Sequence, residues 1–294
     1  MTLESSRTGR QLIFAHDLAA SARFYREAFG VDLESGEIAF EVDDLEEAHV
    51  RAVAAGAEVV RPGVYKDPAG NVVTLRERSR AVRVAGVDMA GGGWAVVVLE
   101  EDRVVDAFRC ESFAEALLVE AEVVGVDIPI GIPESAPRPA DLAARRFVGA
   151  RASSVFPTPV RAVLEAPTYA DARRVAVELT GKSVSSQSYA LRHRILEVDE
   201  HAHRDERVIE VHPEVSFSEL AHRPLLSKHR TDGLAERRAL LEEAGIEVPD
   251  SVPRIAEPDL LDATIAAWSA RRYARGEALP LPEGNESRIG AVWR

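Results

Sequence analysis

The stretch "AEVVGVDIPIG", residues 121–131, decides the fold. Val123, Val124, Val126, Ile128 and Ile130 make a short β-branched run closed by Gly and Pro, the pattern of a strand covered on both faces in a parallel sheet. Asp127 interrupts it near the end. A carboxylate in such a place is costly without a partner, so it must cap a turn, sit in an ion pair or face a cation. The same pattern stands upstream in "VRVAGVD", residues 82–88, which ends on Asp88.

Reading outward from these two runs organises the C-terminal two thirds of the chain. After "VRVAGVD" comes a second strand, "GGGWAVVVLE". A turn at Glu101–Asp102 leads into a third, "RVVDAFRC". "FAEALLVEA" reads as a helix crossing to the fourth strand, residues 121–131. A long helical segment follows, then a fifth strand, "RVIEVHPEVSF", and helices around "GLAERRALLEEAG" and "PDLLDATIAAWSARRYARG". Three antiparallel strands, a crossover, a parallel strand and one more helix-linked strand describe an α/β, ribonuclease H-like mixed sheet in the order 3-2-1-4-5. Strands 1 and 4 are then parallel neighbours, with Asp88 and Asp127 together beyond their C-terminal ends, where open α/β sheets collect functional groups. Two adjacent carboxylates repel unless a cation lies between them, which points to Mg²⁺ or Mn²⁺.

Two further segments offer carboxylates. As a strand, "RVIEVHPEVSF" puts Glu210, His212 and Glu214 on one face, with Pro213 suited to a sheet edge. In the last helix Asp259 and Asp262 lie three apart on one face. Asp259, just after Pro258, also suits the first helical turn as a favourable charge for the dipole.

Composition narrows the class. With 294 residues the chain is long enough for two domains, and 46% hydrophobic with 29% charged residues is ordinary for a globular protein. The single cysteine, Cys110, excludes an intramolecular disulfide and a cysteine-based zinc cluster. No signal peptide and no membrane-length apolar run is present, so a cytoplasmic protein without membrane contact is expected. A net charge of −13 argues against loose binding to nucleic acid. Residues 138–194 depart from that average, with ten Lys/Arg against four Asp/Glu, a local balance of +6 that reads as an anion-facing patch.

The N-terminal part alternates strand and helix: "QLIFAHDL", "AASARFYREAFG", "GEIAFEVDDL", "EEAHVRAVAAGA" and "AGNVVTLRER". Through "DLAASARFYREAFGV", "AFEVDDLEEAHVRAVAAGAEVV" and "KDPAGNVVTL" it resembles the glyoxalase/bleomycin-resistance (vicinal oxygen chelate) family. It is shortened, because only "VDLESG" lies between the first helix and the next strand. Thr74 stands where that family often has a metal-binding glutamate, and His16 lacks a second and third ligand. Residues 1–79 therefore read as a truncated, small α+β module without metal, serving packing, a homodimer contact or regulation. Residues 80–294 form the second domain.

Residues 82–294 resemble the domain-of-unknown-function 429 family of predicted ribonuclease H-like nucleases. The resemblance rests on "GVDMAGGGW", "VDIPIGIPE", "ARRFVGARASSVFPTPVRAVL", "TGKSVSSQSYALRHRI", "VIEVHPEVSF" and "DLLDATIAAWSARR". Met89-Ala90 departs from the family's usual pairs, while Asp88 is intact. The resemblance implies a metal-dependent phosphodiester hydrolase acting on DNA or RNA. In it Asp88 bridges two divalent ions, Asp127 and Asp262 hold one each, and Glu210, in preference to Glu214, completes the set. Arg161, Lys182 and Gln187 fall in the basic segment's motifs and become candidate phosphate contacts. Two other readings keep the fold: an inactive binding or regulatory protein, and an actin-like ATP-dependent phosphotransferase, whose first hairpin also carries Asp followed by glycines.

Overall fold

The computed structural model describes residues 18–29, 39–42, 44–68, 70–77, 81–135, 137–285 and 287–294. The chain divides into two compact units, Met1–Arg80 and Ala81–Arg294.

In the first unit helix α1 (Leu18–Phe29) precedes strand β1 (Ala39–Val42), helix α2 (Leu45–Ala54) and strands β2 (Glu58–Arg61), β3 (Val64–Lys66) and β4 (Val72–Glu77). The sheet order is β1-β4-β3-β2, with β1 parallel to β4 and the other pairs antiparallel. Asp44 starts α2 by accepting the Glu47 amide at 2.8 Å. Phe24, Tyr25 and Ala28 of α1, Ala48 and Ala52 of α2, and Tyr65, Val73 and Leu75 of the sheet form its core. The strand expected at "QLIFAHDL", and His16 with it, lie outside the described residues. The hairpin β2–β3 was not legible in the sequence. Its strands are four and three residues long, and every residue of β2 is exposed, so neither shows an alternating apolar face.

The second unit opens with β5 (Arg83–Ala90), β6 (Gly93–Glu100) and β7 (Arg103–Cys110), then helix α3 (Phe113–Ala116) and β8 (Val123–Val126). A helical stretch follows: α4 (Pro139–Phe147), α5 (Arg161–Leu164), α6 (Tyr169–Thr180), α7 (Ser186–Ala190) and α8 (Arg192–Ala202). Then come β9 (Val208–Glu210), α9 (Pro213–Ala221), α10 (Thr231–Glu243), α11 (Glu257–Ala274) and the small pair β10 (Pro280–Leu281) and β11 (Val292–Trp293). The five-stranded sheet runs β7-β6-β5-β8-β9. β5, β6 and β7 are antiparallel neighbours, while β5–β8 and β8–β9 are parallel. That is the 3-2-1-4-5 order expected of a ribonuclease H-like sheet.

Alternation along the strands sorts side chains between two cores. Ala85, Val87, Val124, Val126 and Val208 pack on one face with Phe113 of α3, Leu164 of α5 and Ile195 of α8. Val84, Ala95, Val123 and Ile209 pack on the other with α11, Phe217 of α9 and Leu241 of α10. The second face explains two glycines. A Cβ on Gly86 would stand 2.0 Å from the Ala263 carbonyl oxygen, and one on Gly125 would stand 2.7 Å from that of Ala266. Gly86 and Gly125 are paired in the β5–β8 register, so together they make a floor on which the backbone of α11 rests directly. Any side chain at Gly86 would lift α11 off the sheet.

One element differs from its sequence reading in a way that matters. "RVIEVHPEVSF" is not one strand: β9 ends at Glu210 and Pro213 is the first residue of α9. Proline suits both a sheet edge and a first helical position, where its missing N–H is no loss, and here the helix prevails. The expected shared face of Glu210, His212 and Glu214 therefore does not exist.

Candidate acidic site

The glycine floor also places the acids. Asp88 lies two residues beyond Gly86, and Asp127 two beyond Gly125, so with a side-chain period of two both aspartates project towards α11. The Asp127 amide donates to the Val87 carbonyl at 3.0 Å, which fixes the two strand segments side by side. Asp262, in the second turn of α11 and 1% exposed, stands directly before Ala263, which touches Gly86. All three line a cleft of about 580 Å³.

The three carboxylates act on one another's charge. Burial pushes the Asp88 carboxyl well above the usual range, Asp262 and Asp127 push it further, and Lys228 opposes them. Asp127 is raised by burial, with His212 opposing, Asp262 adding and Lys228 opposing. Lys228 donates to Asp262 Oδ2 at 2.5 Å. Burial alone would lower its pKa, but Asp262, with Asp127 and Asp88 behind it, holds it above the ordinary lysine value.

The remaining sequence candidates are distributed differently. Glu210 lines the cleft wall, but it pairs with Val126 in the β8–β9 register and so points to the sheet face opposite Asp88. Both its oxygens are taken by Arg138, at 2.5 Å each, and the Ile130 amide donates to one of them at 2.7 Å. It is an ion-pair partner and does not join the three aspartates. Glu214, in the first turn of α9, accepts from Arg151 at 2.9 Å and from Arg237 at 2.8 Å. His212 does stand at the cleft near Asp127, and its Nδ1 is buried with no hydrogen-bond partner among the described residues. Asp259 is half-buried and raised by burial and by Asp262, outside the cleft lining.

The basic segment is less available than its count suggested. The Arg161 guanidinium is held by Asp199 at 3.0 Å, Glu134 at 3.4 Å and Glu165 at 3.7 Å, away from the cleft lining. Arg138, Arg151, Arg174 and Arg194 are likewise paired with carboxylates. Much of the +6 is neutralised by acids from other segments. Lys182 and Gln187 are exposed and lie outside the cleft lining.

Sequence reasoning missed Lys228 and Arg151 as cleft residues. Lys228 sits in "HRPLLSKHR", which has no periodicity to read. Its one local signal is Gly233, where a Cβ would meet the Ser227 carbonyl oxygen at 2.1 Å.

As a donor set, three carboxylates fit a hard divalent cation, and the His212 imidazole stands beside them. Among the described residues no three His, Cys, Asp or Glu side chains already stand close enough to hold one as placed, and the cation present is the Lys228 ammonium. Admitting an ion requires the carboxylates to turn inward.

No curated protein matches the chain. Among solved structures it is similar to RuvC of T. thermophilus in complex with a Holliday junction substrate, at 15% identity and a TM-score of 0.30, covering 67% of this chain and 97% of that one. The family described as "Protein of unknown function (DUF429)" matches residues 86–287, and the chain belongs to it.

Proposed function

We propose that the second unit is a divalent-metal-dependent phosphodiester hydrolase, a nuclease, with Asp88, Asp127 and Asp262 as its metal-binding carboxylates and nucleic acid as its substrate. The observation that carries the reading is the convergence of these aspartates from β5, the end of β8 and α11 on one cleft at the C-terminal edge of the parallel strand pair. Three buried acids lining one cleft with a single lysine between them are unfavourable as a purely structural arrangement. Mg²⁺ or Mn²⁺ held there would supply charge neutralisation and lower the pKa of an attacking water. The aspartates orient that site, and the cleft admits the phosphodiester. Water adds to phosphorus, one P–O ester bond breaks, and the leaving oxygen departs with a proton as a hydroxyl. For the unit Met1–Arg80 the reading is a shortened glyoxalase-like module without a catalytic metal, serving packing or pairing.

Thermal melts of the full chain test the metal. Mn²⁺ or Mg²⁺ at about 100 times its dissociation constant should stabilise the protein by ~2.7 kcal/mol. An unchanged melting temperature at millimolar Mg²⁺ and Mn²⁺ would count against the reading.

A further inference from the structure

Lys228 is not a surface lysine that has fallen into the cleft; its loop is built to hold it there. Leu226, two residues before it, is fixed at both backbone groups. Its amide donates to Glu236 at 2.9 Å, and its carbonyl accepts from Arg237 at 2.8 Å. Arg237 is 1% exposed and also donates to the Gly233 carbonyl and to Glu214. Gly233 lets Ser227 approach α10 more closely than any side chain would permit, and Leu225 is buried beneath the loop. A buried arginine, a carboxylate and a glycine thus fix the backbone immediately ahead of one ammonium group.

Charge then indicates what that ammonium does. In their ionised, metal-binding form the three cleft aspartates carry −3, and Lys228 reduces this to −2, the charge that one divalent ion cancels. Two divalent ions together with Lys228 would leave the site at +2. We propose that Lys228 is a resident cation of this site, standing in for a second divalent ion, so that the chain binds one divalent ion and Lys228 faces the phosphate oxygen on which negative charge develops. This rests on the reading of the site as a phosphodiester hydrolase and replaces the two-ion scheme that the family resemblance implied. Glu214 and Arg237 become positioning residues for the lysine.

The experiment counts Mn²⁺ bound per full-length chain, from the free-ion electron paramagnetic resonance signal, for the wild type, Lys228→Arg and Lys228→Met. The expected result is one ion for the wild type and for Lys228→Arg. In Lys228→Met the first ion should bind at least tenfold more tightly, while cleavage of a phosphodiester substrate falls at least a hundredfold. Two ions in the wild type, or unchanged Mn²⁺ affinity in a folded Lys228→Met, would overturn the lysine's role and leave the hydrolase reading standing. No bound Mn²⁺ in any of the three would remove the metal site itself, and the proposal with it.

Discussion

Asp88→Asn is expected to abolish metal-dependent phosphodiester cleavage and, at the same time, to raise the melting temperature of the metal-free protein. The two effects share one cause. Asp88 is 8% exposed, lies on the central strand and interacts with both other aspartates, so burial and like charge both oppose its ionisation. Burial and its neighbours raise its pKa in the fold, so it binds a proton more tightly folded than unfolded. The stability it contributes is therefore fully present below the unfolded value and is lost as pH rises through the folded one. As pH rises above the unfolded carboxylate value this group costs the metal-free fold stability, and the amide removes that cost without changing the shape. A gain of about 1 kcal/mol would appear as a rise of ~2–4 °C for a unit of this size. The same substitution removes a central anionic donor from the site, so activity should fall to background while circular dichroism is unchanged. Asp88→Asn that cleaves as well as the wild type would show that the acidic cluster is not the catalytic centre.

The largest effect on stability is expected at Arg138. This side chain is 4% exposed and makes two hydrogen bonds to Glu210, two to Asp141 and one, at 2.7 Å, to the Ile130 carbonyl. Asp141 in turn accepts from the Thr158 amide at 2.6 Å, so the network ties the loop after β8, α4 and β9 together. Arg138→Met leaves two buried carboxylates facing each other without a counter-charge, a loss of about 3–5 kcal/mol. That is a large share of the ~5–15 kcal/mol by which a typical domain is stable. The pH dependence follows from Glu210. Burial raises its pKa even with Arg138 opposing, and removing Arg138 raises it further. The variant should therefore regain stability as pH falls through the folded Glu210 value, because the protonated acid no longer needs a partner. Urea midpoints at neutral and mildly acidic pH measure this, and the double variant Arg138→Met/Glu210→Gln should recover part of the loss. Equal midpoints for wild type and Arg138→Met would mean that the ion pair contributes nothing net.

The contrast between these residues shows what a sequence can reveal here. The side-by-side placement of Asp88 and Asp127 was legible because each closes an apolar β-branched run and the two runs are parallel neighbours in the sheet. The strands followed from apolar runs and turns, and their order from the ribonuclease H-like fold that this succession of elements describes. Glu210 was misread for a reason of parity. A three-residue strand gives no pattern from which to tell which face its last residue occupies, and the proline three residues beyond it allowed both a longer strand and a new helix. The charge count over 138–194 misled because it sees only neighbours in sequence, whereas Glu210, Glu214 and Asp199 reach those arginines from elsewhere in the fold. Lys228 had no signal beyond Gly233. Its place depends on Arg237, Glu236 and Gly233 holding a loop whose own residues have no periodic signature.

The central claim, that Asp88, Asp127 and Asp262 are one divalent-cation site, is tested most directly by a crystal structure of the full chain soaked in Mn²⁺ with anomalous difference density. The predicted result is a single anomalous peak between these three carboxylates, beside Lys228, and none in the unit Met1–Arg80. A map with no peak at the three aspartates, or with manganese bound only in the first unit, would contradict it.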